Sequence, residues 1–517
     1  MSKSQVISDS SEWTFELLET YEKTIGELAE GYELDTYPNQ IELINSEQMM
    51  DAYTSIGMPI NYNHWSFGKH FIGTEQSYRR GHMGLAYELV INSDPCISYL
   101  QEENTLTMQA LVIAHACFGH NSFFKGNYLF KTWTDASSIV DYLVFSRNYV
   151  SKCEERYGLE AVESILDACH ALMNYGVDRY KRPYPLSLQE EKDNQQQRET
   201  IMQQQVNDLW RTIPQQNSGE QPEALPTFPS EPQENLLYFF EKDAPLLEPW
   251  QREIIRIVRK MAQYLYPQRQ TKVMNEGWAC FWHYHLLYDL YHQGRVSEGF
   301  MLEFLQSHTN VVYQPPYDHP GFSGINPYTL GFSMMQDIRR ICETPSDEDK
   351  HWFPDIAGSP WLETLHFAME NYKDESFILQ FLSPKLIRDL KLFAVLDNDK
   401  NNYLEVAAIH NDSGYQIIRE ALAGMHNIGN SEPNIQIVDA NLSGDRSLLL
   451  HHYVHDHRPM EVESTPEVLK HIHHLWGFDV HLESMDQDIA IKAYQWPPVK
   501  KEEVEEKALT PTMAIMI

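Results

Sequence analysis

The stretch LTMQALVIAHACFGHNSFF, within residues 105–124, decides how this chain is read. Leu, Val, Ile, Ala, Cys and Phe fall on every side of a helix of that length. Such a helix is hydrophobic all round and belongs in a core. Two histidines, His115 and His120, sit inside it, and burying them is costly unless each finds a partner. A second aromatic stretch, VMNEGWACFWHYHLLYDLYH over residues 273–292, has the same character and carries Glu276, His283 and His285.

Helical periodicity extends outward from both. Leu17, Tyr21, Ile25 and Leu28 recur on one face after a capping Ser11. Residues 40–56 show helical spacing up to the stop at Gly57-Met58-Pro59. Residues 134–158, 159–180 and 249–266 read as further helices. Residues 1–184 are therefore expected to form the first half of an α-helical core and residues 236–383 the second half. Between them, residues 185–235 are crowded with Gln, Glu, Pro and Asn. That composition cannot bury enough apolar area to offset its ordering entropy. We read it as an exposed connector, with one helix through Val206–Trp210.

From about residue 384 the period changes. YLEVAAIH (403–410), NIQIVDANL (434–442), RSLLLHHYVHD (446–456) and FDVHLES (478–484) read as strands. GYQIIREALAGMHN (414–427) and PEVLKHIHHLWG (466–477) read as helices. The order βαββαβ matches a ferredoxin-like module. The expected class is α+β: a large, mainly α-helical N-terminal region followed by a small ferredoxin-like module over 384–490 and a tail over 491–517.

Composition narrows the function. Among 517 residues, 40 Lys and Arg oppose 74 Asp and Glu, a formal charge of −34. Nucleic-acid binding by counterion release needs arrays of Lys and Arg, and an anionic membrane surface would repel this chain. No apolar run reaches the length of a membrane span, and the first residues show no secretory h-region. Six scattered cysteines without C-x-x-C spacing fit buried thiols in a reducing compartment. A cytoplasmic protein is expected.

The ionisable groups of the two apolar helices are candidates for chemistry. Zincins place two imidazoles on one helix face at i, i+4, with a Glu between them as general base. Here the spacing is i, i+5, about 140° apart on a regular helix, and Ala116 stands where the Glu would be. Gly119 could bulge the helix and bring His120 round; two satisfied core histidines are the plainer reading. Asn275-Glu276-Gly277 with Ala279 looks like the third-ligand helix of gluzincin metallopeptidases. Taken together, His115, His120 and Glu276 would make a His₂-carboxylate set suited to a divalent metal, Zn²⁺ or non-haem Fe²⁺. Glu88, in GLAYELVIN, is a candidate replacement base or fourth ligand. His283 lies roughly 10.5 Å along the helix from Glu276, so it is read as an acid–base group or a support for the ligands.

Arg179, in GVDRYKRP, and the stripe Arg252, Arg256 and Arg259 are candidates for binding an anion, against the plainer reading of helix-face salt bridges. The runs LLLHHYVHDHRP and LKHIHHLWGF split their histidines between two faces, which argues against a metal there. DNDKNNYLE starts like an EF-hand, but Asn402 and Ala408 occupy the positions that need Gly and Glu. No P-loop, G-x-G-x-x-G or G-x-S-x-G stands in the chain. Cys117 is a weak nucleophile candidate, because an apolar setting raises a thiol pKa.

Long strings of the chain resemble the stage V sporulation protein R (SpoVR) family. They include LDTYPNQIELINSEQMMDAY, GMPINYNHWSFGKHF, GLAYELVINSDPCISYL, LVIAHACFGHNSFFK and MNEGWACFWHYH, then HTNVVYQP, INPYTLGF, DESFILQFLSP and EPNIQI. The resemblance runs from about residue 12 to 483. It implies a role in spore cortex formation or, in bacteria that do not sporulate, in a stress response. It also implies association with a PrkA-type serine protein kinase and a von Willebrand factor A-like protein. Two expectations follow: a metal-dependent enzyme with a His/His/Glu site, or a non-catalytic regulatory or scaffold protein acting with those partners.

Overall fold

The structure is a computed structural model that describes residues 6–55, 60–66, 88–179, 228–396, 405–442, 444–455, 458–486 and 489–498. Most of the connector with its expected helix, the EF-hand-like run before Glu405 and the end of the tail lie outside the described residues. The chain divides into two compact units, Met1–Lys152 with Tyr264–Ile428, and Cys153–Gln263 with Gly429–Ile517.

The first unit is mainly helical around one apolar core. Helix α1 (Phe15–Gly31) buries Tyr21, Ile25 and Ala29. Thr14 caps it rather than Ser11, accepting from the Leu17 N–H at 3.2 Å. Residues 40–44, expected to be helical, are instead strand β1 (Asn39–Ile44), and Asn45 caps the helix that follows. β1 pairs in parallel with β3 (Cys96–Gln101), and β2 (Glu88–Ile91) pairs antiparallel with the other side of β3. β3 is buried on both faces, so it lacks the alternation that marks a half-buried strand. The pairing sets Glu88 opposite Leu100.

Helix α2 (Leu106–Val112) starts at the Thr105 cap and runs without a break into a π-helical segment, Ile113–His120. Helix α3 (Lys272–His292) buries Trp278, Phe281, Trp282 and Leu286. The Asp374 carboxylate accepts from the Val273 and Met274 N–H groups at 2.9 and 2.9 Å, satisfying donors that a helix start leaves open. Helices α4 (Glu298–Val311) and α5 (Pro327–Glu343) pack on α3. Where α3 and α5 cross, a Cβ on Gly277 would sit 2.3 Å from the Gly331 carbonyl carbon, so only glycine admits this approach. Strands β4 (Ala394–Leu396) and β5 (Glu405–Ala408) pair with each other, beside α6 (Asp412–Met425).

The second unit holds the small C-terminal α/β module. Its sheet runs β6 (Asn434–Asp439), β7 (Leu448–Tyr453), β8 (Val480–Asp486) and β9 (Ile489–Trp496) in that order. Helix α7 (Ser464–Trp476) connects the parallel pair β7 and β8. The α+β class stands, but the module is not assembled as a ferredoxin-like βαββαβ sheet. The strand expected to open it, β5, is taken by β4, and the fourth strand is β9, from the border of the expected tail. β9 buries almost none of its side chains. Backbone pairing with β8 defines it rather than a hydrophobic pattern. Among the described residues, no helix is long and apolar enough to cross a membrane.

Candidate metal centre

The spacing of His115 and His120 puts them far apart on a regular α-helix. In the π-helical segment the hydrogen bonds reach back five residues; the Asn121 N–H bonds to the Ala116 carbonyl. Residue i+5 then stacks close to residue i, and the two imidazoles come to share a face, their centroids 4.6 Å apart. Gly119 lies against Ala279 of α3: a Cβ there would meet the Ala279 Cα at 2.6 Å. This close approach brings Glu276 to the histidines.

Four side chains converge within the first unit. His115 Nε2 lies 3.1 Å from Glu88 Oε1 and 3.7 Å from Glu276 Oε2. His120 Nε2 lies 3.9 and 3.5 Å from the same two oxygens. These separations bracket the edge of a tetrahedral shell, about 3.4 Å for donors roughly 2.1 Å from a zinc ion. Among the described residues, buried Glu88 Oε2 and Glu276 Oε2 have no hydrogen-bond partner. The donor set, two imidazoles and two carboxylates, suits Zn²⁺ or Fe²⁺.

Neighbouring groups fix the ligating candidates. His120 Nδ1 is 2.9 Å from Asn275 Oδ1. The Tyr328 phenol, at the start of α5, lies beside Glu276 and helps lower its pKa. His115 Nδ1 is 2.8 Å from His283 Nδ1, and His283 Nε2 is 2.7 Å from His308 Nδ1 on α4. The Cys280 thiol also lies beside His115. His115, Cys280 and His283 form a second close group of donors, but 2.8 Å between two nitrogens is hydrogen-bond geometry, shorter than the edge of a metal shell.

The electrostatics couple these groups to one another. Burial pushes the Glu88 carboxyl up to about 7, against the pull of His115. Burial would lower His115, but Glu88, Cys280 and Glu276 together outweigh it and raise its pKa well above the usual value. Burial would raise Glu276, yet the two imidazoles hold it down. Burial takes His120 down to about 4 and holds His283 far below its usual value, with His115 adding to the effect.

The same four groups line a cavity of about 750 Å³. Its walls are apolar at Val90, Met108, Leu111 and Phe124, and polar at Gln268, Asn275, Asn310 and Asn326, with Lys272 among its lining residues.

The other candidates fall elsewhere. His285 faces Gln336 and Arg339 rather than the converging groups. The anion-binding arginines are engaged internally. Arg252 donates to the carbonyls of Glu241 and Ala244. Arg256 and Arg259 each place Nε on the Glu241 carboxylate, at 2.9 and 3.0 Å. Arg179 pairs with Glu432 at 3.0 Å. The structure thus gives these four arginines the salt-bridge and capping role, because buried acceptors need their charge. His452 is buried against Ser484, and His451 faces Glu483. Burial pushes the Cys117 thiol well up, which removes its nucleophilic character. Sequence reasoning passed over His308 and Tyr328. A single histidine on an amphipathic helix and a tyrosine behind an Asn-Pro cap carry no local signal of a shared site.

A helical core that gathers two imidazoles and two carboxylates at a cavity wall defines a candidate metalloprotein. Comparison with known families supplies the lineage. The model described as "SpoVR like protein" matches residues 12–431, and "SpoVR-like C-terminal domain" matches residues 433–487. The chain belongs to the SpoVR family. It is 64% identical over 492 residues to a protein of Escherichia coli (strain K12) named "Uncharacterized protein YcgB", covering 95% of this chain and 96% of that one. No solved structure matches the chain.

Proposed function

We propose that this SpoVR-family protein is a metal-dependent enzyme whose divalent ion is held by His115, His120, Glu276 and Glu88. The observation that carries the reading is the pair of buried carboxylate oxygens, unpartnered among the described residues, in a group whose imidazole Nε2 atoms lie 3.1–3.9 Å from the opposing carboxylates. Protein donors normally satisfy such atoms; here the donors are spaced as ligands are. A bound ion would act as a Lewis acid and lower the pKa of a coordinated water. The chain's own residues do the rest. Tyr328 and Asn275 orient Glu276 and His120. The apolar wall at Val90, Met108 and Phe124 limits water around the site, and the amides opposite offer hydrogen bonds to a ligand. Glu88 comes from a strand edge rather than the helical core. It is the carboxylate best able to move between ligand and base, which replaces the zincin Glu missing at Ala116.

Elemental analysis of the purified protein tests this. About one equivalent of zinc or iron is expected, lost in a His115→Ala/His120→Ala variant that still folds. A metal-free parent after growth and purification with added zinc and iron would sink the reading.

The resemblance extends the proposal to a setting: sporulation or stress, in the cytoplasm, beside a PrkA-type serine kinase and a von Willebrand factor A-like protein. Co-purification from native cells tests the partnership, and recovery of the chain without either partner under starvation would remove it.

A further inference from the structure

Beyond the four converging groups, the imidazoles continue inward. His115, His283 and His308 form a chain with contacts of 2.8 and 2.7 Å. His283 is almost wholly buried, and His308 is enclosed by Phe304, Tyr284 and Phe332. Each contact needs one N–H and one lone pair, and a neutral imidazole has one of each. With all three imidazoles neutral, as ligation of a metal by His115 requires, the protons of the chain must all point the same way.

Only one direction leaves His115 Nε2 with a free lone pair toward Glu88 and Glu276. In that state His115 carries its proton on Nδ1 and donates to His283 Nδ1. His283 then carries its proton on Nε2 and donates to His308 Nδ1. In the reverse state His115 Nε2 bears the proton and cannot ligate. Cys280, the other neighbour of His115, is a weak acceptor and cannot enforce the choice.

We propose that His283 and His308 are positioning residues that select the metal-ligating tautomer of His115, with His308 as the anchor of the chain. This inference rests on the metal reading above. A ligand imidazole is normally held by an acceptor on its other nitrogen, and removing such a partner typically weakens metal binding about 10- to 100-fold. Here the acceptor is itself an imidazole, so the orientation is set two residues away, on α4. His308 touches none of the four ligands and acts only through His283.

The test uses the full chain, stripped of metal and titrated with Zn²⁺ against a chromophoric chelator. The parent is compared with His308→Phe, which fills the aromatic surroundings but offers no acceptor, and with His308→Gln, which restores one. Melting of each metal-free protein controls for folding. The expected result is a Zn²⁺ affinity weakened about 10- to 100-fold in His308→Phe and largely recovered in His308→Gln. Nitrogen NMR of histidine-labelled protein, assigned by loss of the His115 signal in His115→Gln, should show His115 protonated at Nδ1 in the zinc-loaded parent. A His308→Phe variant that binds Zn²⁺ as tightly as a zinc-binding parent overturns the positioning role and leaves the metal reading standing. A parent that binds no Zn²⁺ overturns both. Should neither variant fold, the NMR signal of the parent decides: protonation at Nε2 rather than Nδ1 overturns the inference.

Discussion

Two buried carboxylate clusters in this molecule are built in opposite ways. In the second unit, Glu241 is 3% exposed and is surrounded by cations the chain supplies. Arg256 Nε and Arg259 Nε lie at 2.9 and 3.0 Å, and Lys242 Nζ at 3.2 Å. In the first unit, Glu88 and Glu276 face imidazoles at 3.1–3.9 Å, and among the described residues each keeps an oxygen without a hydrogen-bond partner. A guanidinium is always charged and closes its site. An imidazole offers a neutral lone pair and leaves room for a cation from outside. The first cluster is a finished structural ion pair network; the second is arranged for a ligand.

The largest effect expected from this contrast is on metal-linked stability. An ion that binds only the folded state stabilises it by about 4 kcal/mol at a thousandfold excess over Kd. Calorimetry with and without Zn²⁺ should show that gain in the parent and none in Glu276→Gln. The metal-free Glu276→Gln protein should melt below the metal-free parent, because the two imidazoles hold the Glu276 carboxylate under its usual pKa and the change removes that interaction. Glu241→Gln should be insensitive to metal. It should cost roughly 3 kcal/mol whether or not metal is present, since it breaks a buried pair by removing one partner. If the metal abolished that cost, the two clusters would not be independent and the contrast would fail.

A smaller effect is expected at Gly119. Gly119→Ala forces a methyl into the Ala279 backbone and should destabilise by about 1–3 kcal/mol. It should also weaken Zn²⁺ binding, since it pushes Glu276 away from the histidines; unchanged affinity would mean that the close approach does not set the site. The smallest effect is on acid stability. Burial raises the Glu241 pKa, but Arg259 and its neighbours more than offset this and hold it below the usual carboxylate value. A depressed folded pKa adds stability that is fully present above the unfolded value, about 4.3, and lost as pH falls through the folded one. Urea titrations below pH 5 should show a loss in the parent that is smaller in Glu241→Gln.

The sequence made the helical core legible because its two apolar stretches have no polar face to mistake for a surface. It also singled out His115, His120 and Glu276, since ionisable groups in such stretches need a reason. What it could not show was how the histidines meet. Their spacing is wrong for an α-helix, and the π-helical segment depends on Gly119 packing against a helix some 160 residues later in the chain. The strand carrying Glu88 was hidden for a related reason: its neighbour β3 is buried on both faces and shows no alternation. In the C-terminal module, β9 was missed because exposed side chains leave no pattern. The arginine stripe leaves an anion site and salt bridges both open in the sequence, because Glu241, its partner, lies on a different helix and only folding brings them together.

The most direct test is a crystal structure of the zinc- or iron-loaded protein with anomalous data at the metal edge. One anomalous peak is expected between the four side chains, about 2.0–2.2 Å from His115 Nε2, His120 Nε2 and a carboxylate oxygen each of Glu88 and Glu276. A peak elsewhere, or none at this position in protein that carries stoichiometric metal, would contradict it.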